Sequence, residues 1–511
     1  MFGMFKRTPA ASPWPASAPD EAKQTAKNVA KLYIAGTWCD AASGKVFEDL
    51  NPTTRKGLAA VADASAEDAE AAISAAYAAQ PEWAALPPAA RAELFYIAAE
   101  IFKSRQQDFC AALIEETGST FGKSMFECSL VPLALREAAA LTTRDIGEVL
   151  PSNIPGKVNT ILRHPAGVVG VISPWNFPLY LSLRGFIYAL ALGNTAVLKP
   201  SEDSPLTGGV MIADLFEAAG FPPGTVNVIT CSRDNAKAVG DKMIQDKRVA
   251  RISFTGSTAV GRAIATECAS QFKRVILEMG GKNPIIVLRD ADVDYAVDVA
   301  FFGAFLHQGQ ICMSADKIIV ARELYPEFTK KLVAKVENFM PLEPSNQMSV
   351  IGPIINDRQL DRIHGLVTRA KQGGATVHVG GAKRGPYYLA TVITDVKRDM
   401  DIYNEEIFGP VALVIPADSE EEAINIANDT PYGLSSSIVT QDVLRAQALA
   451  PRIQAGMIHI NDSPVHDEPH CPFGGMKSSG WFGKWGGTGA IEAFTEQRWI
   501  STQAKRRDYP F

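Results

Sequence analysis

Cys312 stands in "FLHQGQICMSADK" (305–317), between an apolar run and a charged patch. A thiol there could be a small buried hydrophobe, a metal ligand, half of a disulfide or a nucleophile. A free thiol has a pKa near ~8.5, so the last role needs a nearby base or positive dipole. Glu278 in "LEMGGKNP" (277–284) ends an apolar run ahead of Gly280 and Gly281. A carboxylate at that depth is costly unless paired, and desolvation raises its pKa toward that of a general base. A structural acid is the competing reading. Asn176 in "ISPWNFPLY" (172–180) carries an amide that can stabilise a developing oxyanion, although Trp175 and Phe177 beside it also fit a core.

Two stretches suit a nucleotide. In "VLKPSEDSP" (197–205), Lys199 and Glu202 follow a strand, where an acid can accept ribose hydroxyls; a solvated charge pair is the plainer reading. "SFTGSTAVGRAIA" (253–265) passes from strand to helix through Gly256, Ser257 and Gly261, and the first N–H groups of that helix could hold a phosphate. It is neither GxGxxG nor a P-loop, because Arg262 and Ala263 stand where Lys and Ser or Thr are needed. A plain tight turn is the alternative.

The elements that must position these groups alternate. From 167 the pattern reads strand (168–173), helix (181–192), strand (195–199), helix (206–220), strand (226–229), helix near 234–246, strand (251–254), helix near 258–270 and strand (274–279). Such alternation predicts a mostly parallel sheet covered by helices, with ligands at the carboxyl ends of its strands. A second series opens at "PIIVL" (284–288). Val293, Ala296, Val297, Ala300, Phe301 and Ala304 form a helical stripe that Gly309 is expected to end, so Cys312 falls in a loop ahead of strand 317–321. Upstream, Ser65 and Asp68 form a capping box for a helix whose buried face is Ala69, Ala72, Ile73, Ala76 and Tyr77. Residues 88–145 are helix-rich, and 158–165 reads as an exposed strand.

The chain of 511 residues is long enough for two or three domains, and its net charge of −6 is spread without a basic patch for nucleic acid. No apolar run reaches the roughly 18 residues of a membrane span. Residues 1–25 read as a loose tail, not a secretory signal. Seven dispersed cysteines with no CxxC and no HExxH give no disulfide framework and little support for zinc, which makes the cytoplasm the default compartment.

"PWNFP", "LKPSE", "FTGSTAVG", "LEMGGKNP", "GQIC", "NEEIFGPV" and "PFGGMKSSG" follow one another in that order, and together they resemble the aldehyde dehydrogenase superfamily from about 30 to 502. The resemblance implies an α/β fold: a Rossmann-type NAD-binding domain (26–148 and 165–279), an α/β catalytic domain (280–480) and bridging segments (149–164 and 481–511) forming a β-flap for a homodimer or homotetramer. It implies Cys312 as nucleophile, Glu278 as general base, and Asn176 with the Cys312 N–H as oxyanion hole. Cofactor contacts would come from Ser173, Pro174, Trp175, Lys199, Ser201, Glu202, Gly256, Ser257, Gly261, Met279, Gly280, Glu406 and Phe408. Met279 stands where Leu is usual, a volume-conserving change. The implied reaction is NAD(P)-dependent oxidation of an aldehyde to an acid through a thiohemiacetal and a thioester. NAD is expected over NADP because the Glu202 charge would repel a 2′-phosphate, with Lys199 partly offsetting it.

"FLHQGQICMS" and "INDSPVHDEPHCPFGG" (460–475) are similar to the benzaldehyde, vanillin and salicylaldehyde dehydrogenase branch, which implies an aromatic aldehyde. Candidate walls of its site are Phe177, Tyr180, Leu181, Ile311, Met313 and Val465, unless these are simply core. An aliphatic or ω-semialdehyde substrate is the alternative, and Arg184 would favour an ω-semialdehyde acid if it reached the site. A non-catalytic family member would be free to lose Cys312, Glu278 or Asn176, and all three are present. No metal is expected; Cys471 reads as incidental, and His307, His466 and His470 receive no role.

Overall fold

The computed structural model describes residues 29–144, 147–339 and 341–510; the expected tail over 1–25 lies outside them. The first sheet has eight strands in the order Thr37–Cys39, Leu32–Ile34, Val226–Val228, Thr195–Lys199, Val168–Ile172, Val249–Thr255, Arg274–Glu278 and Gly480–Trp481. Its five central strands are parallel. They are buried along nearly their whole length because helices cover both faces. From Val168–Ile172 the chain builds outward through 195–199 and 226–228, then returns to the opposite side through 249–255 and 274–278. The strand order therefore reverses beside Val168–Ile172, where a doubly wound sheet opens a crevice at its carboxyl ends.

The second sheet has the order Thr376–Val379, Thr391–Thr394, Val411–Ala417, Ala315–Ala321, Asn283–Val287, Ser435–Val439 and Met457–Ile460, parallel except for the first pair. Four residues, Met279–Lys282, join the two sheets. The carboxyl end of Arg274–Glu278 thus faces the amino ends of Asn283–Val287 and Ala315–Ala321, and Cys312 precedes the latter. A third sheet of three strands joins Gly147–Leu150, Lys157–Pro165 and Thr495–Gln503. It presents Val149, Val158, Trp499 and Ile500 to solvent.

The helix Ala66–Ala85 begins with the expected box, Ser65 and Asp68 capping each other's backbone. Such a cap is worth about 1 kcal/mol. Ala69, Ala72, Ile73 and Ala76 are buried, but Tyr77 is 58% exposed. At 3.6 residues per turn it lies about 80° round from Ala69, off the stripe. Three helices fill 88–141.

Three expected helices differ. Residues 181–192 split into Pro178–Arg184 and Ile187–Ala191, because Gly185 lies against the sheet, where a Cβ would sit 2.6 Å from Val171 Cγ1. The helix expected from 206 starts with a wider π-type turn, Leu206–Val210, and is α-helical only over Met211–Ala218. Gly209 packs there on Pro200, which a Cβ would meet at 2.7 Å. The stripe helix is Val293–Phe305, so it stops before Gly309. His307, Gln308 and Gly309 follow with φ of 49°, 52° and 68°, a left-handed run that costs on the order of 1–3 kcal/mol for each non-glycine residue.

Candidate active site

The strained turn is held from outside. Gln308 donates to Pro353 O (2.9 Å) and accepts from Gly352 N (2.9 Å), while Gln310 Oε1 accepts from Ile355 N (3.1 Å). Beyond it, Asn283 Nδ2 donates to the carbonyls of Cys312 and Ser314, both at 2.8 Å, and Asn283 Oδ1 accepts from Ser435 N at 3.0 Å. Gly281 completes the clamp, since a Cβ there would lie 2.6 Å from Cys312 O. Cys312 is a free, half-buried thiol. All seven cysteines are free, so the disulfide reading falls away. Burial pushes the Cys312 thiol up to about 12, and the Arg184 guanidinium partly opposes this.

Asn176 is buried and donates to Gln310 O at 3.0 Å, two residues before the thiol. Glu278 is 2% exposed. Its Oε2 accepts from Gly475 N at 3.3 Å, and its Oε1 has no partner. A buried carboxylate oxygen left open in this way is free to hold a water. Gly474 leaves room beside it, as a Cβ would stand 2.7 Å from Oε1. Burial pushes the Glu278 carboxyl up to about 8, against the pull of Arg184 and the Gly475 N–H.

Arg184 is buried and paired with Asp467. Its guanidinium lies 3.9 Å from the Phe473 ring centroid, 4.9 Å from Trp485 and 5.2 Å from Tyr180. A cation enclosed by rings and already neutralised is not free to hold a substrate carboxylate, which removes the ground for an ω-semialdehyde acid. Phe177, Tyr180, Leu181, Ile311, Met313 and Val465 all belong to one buried cluster, and Cys312 packs against it. Phe473 and Trp485 belong to it too. His307 is buried beside Phe177, and burial lowers its pKa well below the ordinary value, so the ring is neutral.

The nucleotide-type groups gather at the carboxyl ends of the first sheet. Ser173, Pro174 and Trp175 follow strand Val168–Ile172, and Ser173 Oγ lies 2.6 Å from Ser182 Oγ. Lys199 is buried and donates to Pro200 O at 3.1 Å, while Ser201 Oγ accepts from Asp203 N at 3.2 Å. Glu202 pairs with Arg233, at 3.5 Å, and not with Lys199. The solvated Lys199–Glu202 pair is therefore not what forms. Gly256 turns against the Phe254 ring, which a Cβ would meet at 2.6 Å. Ser257 then caps helix Thr258–Ser270 by accepting from Val260 N at 3.4 Å. Gly261 packs on Met279, whose sulfur lies 2.5 Å from the position a Cβ would take. Across the crevice, Trp175 and Phe408 meet edge to face at 5.4 Å. Glu406 Oε1 accepts from Gly281 N at 3.1 Å, its carboxylate fills the space beside Gly280, and burial pushes it up to about 7.

Sequence reasoning missed four of the residues that hold this arrangement. Asn283 and Ser479 stand inside quoted motifs, so a signal was present. Ser479 Oγ donates to Gly280 O (2.6 Å) and accepts from Gly433 N (2.9 Å), pinning the link between the sheets. Asp467 also lies in a quoted stretch, 460–475, but nothing there points to its partner Arg184, and Arg233, outside every quoted motif, left no signal.

A thiol, a buried carboxyl with an open oxygen and a side-chain amide, set beside a crevice at a strand-order reversal, have the chemistry that a nucleophilic cysteine next to a nucleotide would need. Residues 38–500 match the aldehyde dehydrogenase family model, and the chain belongs to that family. It is 43% identical to the benzaldehyde dehydrogenase [NAD(+)] of Pseudomonas putida, an alignment covering 94% of this chain and 97% of that one. It is also 43% identical to the vanillin dehydrogenase of Corynebacterium glutamicum, over 92% of this chain and 97% of that one. Among solved structures, the salicylaldehyde dehydrogenase of Pseudomonas putida G7 complexed with salicylaldehyde superposes with a TM-score of 0.92 at 38% identity, over 94% of this chain and all of the other. The betaine aldehyde dehydrogenase of Staphylococcus aureus in complex with NAD+ gives 0.91 at 33% identity, over 94% and 95%. Among the described residues, no helix is long and apolar enough to cross a membrane.

Proposed function

We propose that this enzyme oxidises an aromatic aldehyde of the vanillin or benzaldehyde type to its carboxylic acid, with NAD as the electron acceptor. The observation that carries the reading is the packing of Cys312 against a wall of aromatic and aliphatic side chains, with Asn176 and Glu278 on its polar side. Each ring contact in such a wall adds about 0.5–1.5 kcal/mol for an aromatic substrate. The benzaldehyde, vanillin and salicylaldehyde dehydrogenases among its relatives are named for substrates of that class.

The donors at the strand-order reversal fit a dinucleotide: a capped helix amino end for phosphate, Glu202 for ribose hydroxyls, and Trp175, Phe408, Glu406 and Gly280 beside the thiol. When bound, the nicotinamide supplies a hydride acceptor with a positively charged ring. The Cys312 thiol gives its proton to solvent water, and the sulfur bonds to the carbonyl carbon as the C=O π pair moves onto oxygen. Asn176 and the Cys312 N–H hold the resulting oxyanion in place of water. Loss of hydride from that carbon leaves a thioester on Cys312. Glu278, as carboxylate, takes a proton from water, the hydroxyl adds to the acyl carbon, and the C–S bond breaks to release acid and thiol. Gly475 N–H aims the carboxylate, and the open Oε1 is the atom that meets the water.

The chain divides in this reading at 279/280 into a cofactor unit and a catalytic unit. The third sheet joins subunits into a homodimer or homotetramer, which would cover its exposed Val149, Trp499 and Ile500. A substrate panel of benzaldehyde, vanillin, protocatechualdehyde, succinic semialdehyde and hexanal tests the substrate class. The aromatic aldehydes are expected to give the highest kcat/KM; best turnover on succinic semialdehyde would reject the proposal.

A further inference from the structure

The segment that supplies Val465, Asp467 and Gly474 to the site carries a second group of donors on its outer side. Glu468, His470 and Cys471 are exposed, and a carboxylate oxygen, an imidazole nitrogen and the thiol sulfur lie within 4.8 Å of one another. Glu468 Oε2 stands 3.2 Å from His470 Nε2. Glu468 Oε1 stands 3.1 Å from His466 Nε2, so that second imidazole orients the carboxylate from behind. Bonds of about 2.0–2.3 Å to a tetrahedral zinc ion put its ligand atoms roughly 3.3–3.6 Å apart, within small side-chain rotations of what is observed.

The backbone that presents these side chains is pinned on three sides. Cys471 N donates to Glu468 O at 2.9 Å and closes the turn. Tyr188 donates from its hydroxyl to Pro469 O at 3.1 Å from beneath. Gly486 and Gly487 pass so close that a Cβ would meet Cys471 O at 2.3 Å and His470 O at 2.7 Å, and both have positive φ, which favours glycine. The backbone that carries the three ligands is therefore fixed before any ion arrives.

We propose that Glu468, His470 and Cys471 form a binding site for a borderline divalent transition-metal ion, zinc above all, with water in the fourth position. Mixed oxygen, nitrogen and sulfur donors select such ions over magnesium or calcium. The sequence spacing hides the site because it matches neither CxxC nor HExxH: the ligands come from one tight turn. Binding displaces the Cys471 thiol proton to solvent and takes His470 as the neutral ring. The site is separate from Cys312 and does not depend on the reaction proposed above. An ion there stiffens the segment that reaches Glu278 three and four residues further on, through Gly474 and Gly475.

The test uses the full chain with Cys312→Ala, which removes the active-site thiol as a competing ligand. The chelator-treated protein is titrated with Zn2+ against a chromophoric chelator, and separately with Co2+, whose bond to a thiolate gives a charge-transfer absorption. The proposal expects one Zn2+ per chain, a cobalt–thiolate band, loss of that band in Cys471→Ser, and Zn2+ binding weakened at least tenfold in Cys471→Ser and in Glu468→Gln. Both substitutions are isosteric and exposed. The proposal is overturned by the absence of stoichiometric Zn2+, by a cobalt–thiolate band that survives Cys471→Ser, or by a weakening below tenfold in either variant.

Discussion

The two sides of the crevice are built from different materials. On the proposed nucleotide side, strand ends, glycines and a capped helix put backbone and a few polar groups into position, and Gly256, Gly261 and Gly280 let Phe254, Met279 and Glu406 pack close against the backbone. On the aldehyde side, side chains from Pro178–Arg184, the 305–313 turn and the 463–473 segment converge from residues about 300 positions apart. A backbone-built surface tolerates little change in shape but makes few demands on side-chain chemistry. A side-chain-built wall can change its side chains while the backbone that carries them stays in place.

This contrast can be broken or sharpened by substitution. The largest effect is expected at Glu278→Gln, which keeps the shape and removes the base: turnover falls about 10²–10⁴-fold. The sign of the pH dependence follows from the carboxyl at about 8. Only the ionised form takes a proton from water, so wild-type kcat climbs as pH rises through about 8 and falls below it, while the Gln variant loses that step. A flat wild-type profile from pH 6 to 9 would show that hydrolysis does not limit turnover or does not use this group.

Asn283→Ala comes next. It frees the carbonyls of Cys312 and Ser314, and misplacing a reacting atom by about 1 Å costs on the order of 10²-fold. The loss should fall on kcat, with KM for NAD within about twofold of wild type; a drop in NAD affinity of the same size would place Asn283 on the nucleotide side instead. Glu202→Gln should shift the NAD-to-NADP ratio of kcat/KM by about tenfold toward NADP, since one charge facing a phosphate near the surface is worth about 1 kcal/mol or somewhat more. Arg233 beside it would then meet the 2′-phosphate, so Glu202→Gln with Arg233→Ala should lose the gain. The smallest effect is expected at Phe177→Ala. Loss of one ring contact, about 0.5–1.5 kcal/mol, lowers kcat/KM for vanillin roughly 2–12-fold and leaves hexanal nearly unchanged.

The same division explains what the chain disclosed before its fold was known. Strand ends and glycine turns are local, so Lys199, Glu202, Gly256, Ser257 and Glu278 were readable from alternating elements and short motifs. The parallel strands between 168 and 278 were readable for the same reason. Contacts across the fold were not. Nothing near Arg184 in sequence announces Asp467, 283 residues away, or the rings of Phe473 and Trp485. Helix ends were misjudged where tertiary contact overrules propensity: Gly185 pressed on Val171, and the left-handed run His307–Gly309 locked by the 352–355 segment.

The central claim is that the carbonyl carbon becomes bonded to Cys312 sulfur before the acid is released. Glu278→Gln enzyme, mixed with vanillin and NAD and quenched in acid within one turnover, should carry the added acyl mass on the peptide containing Cys312. An adduct on another cysteine, or a Cys312→Ala variant that oxidises vanillin at the wild-type rate, would contradict it.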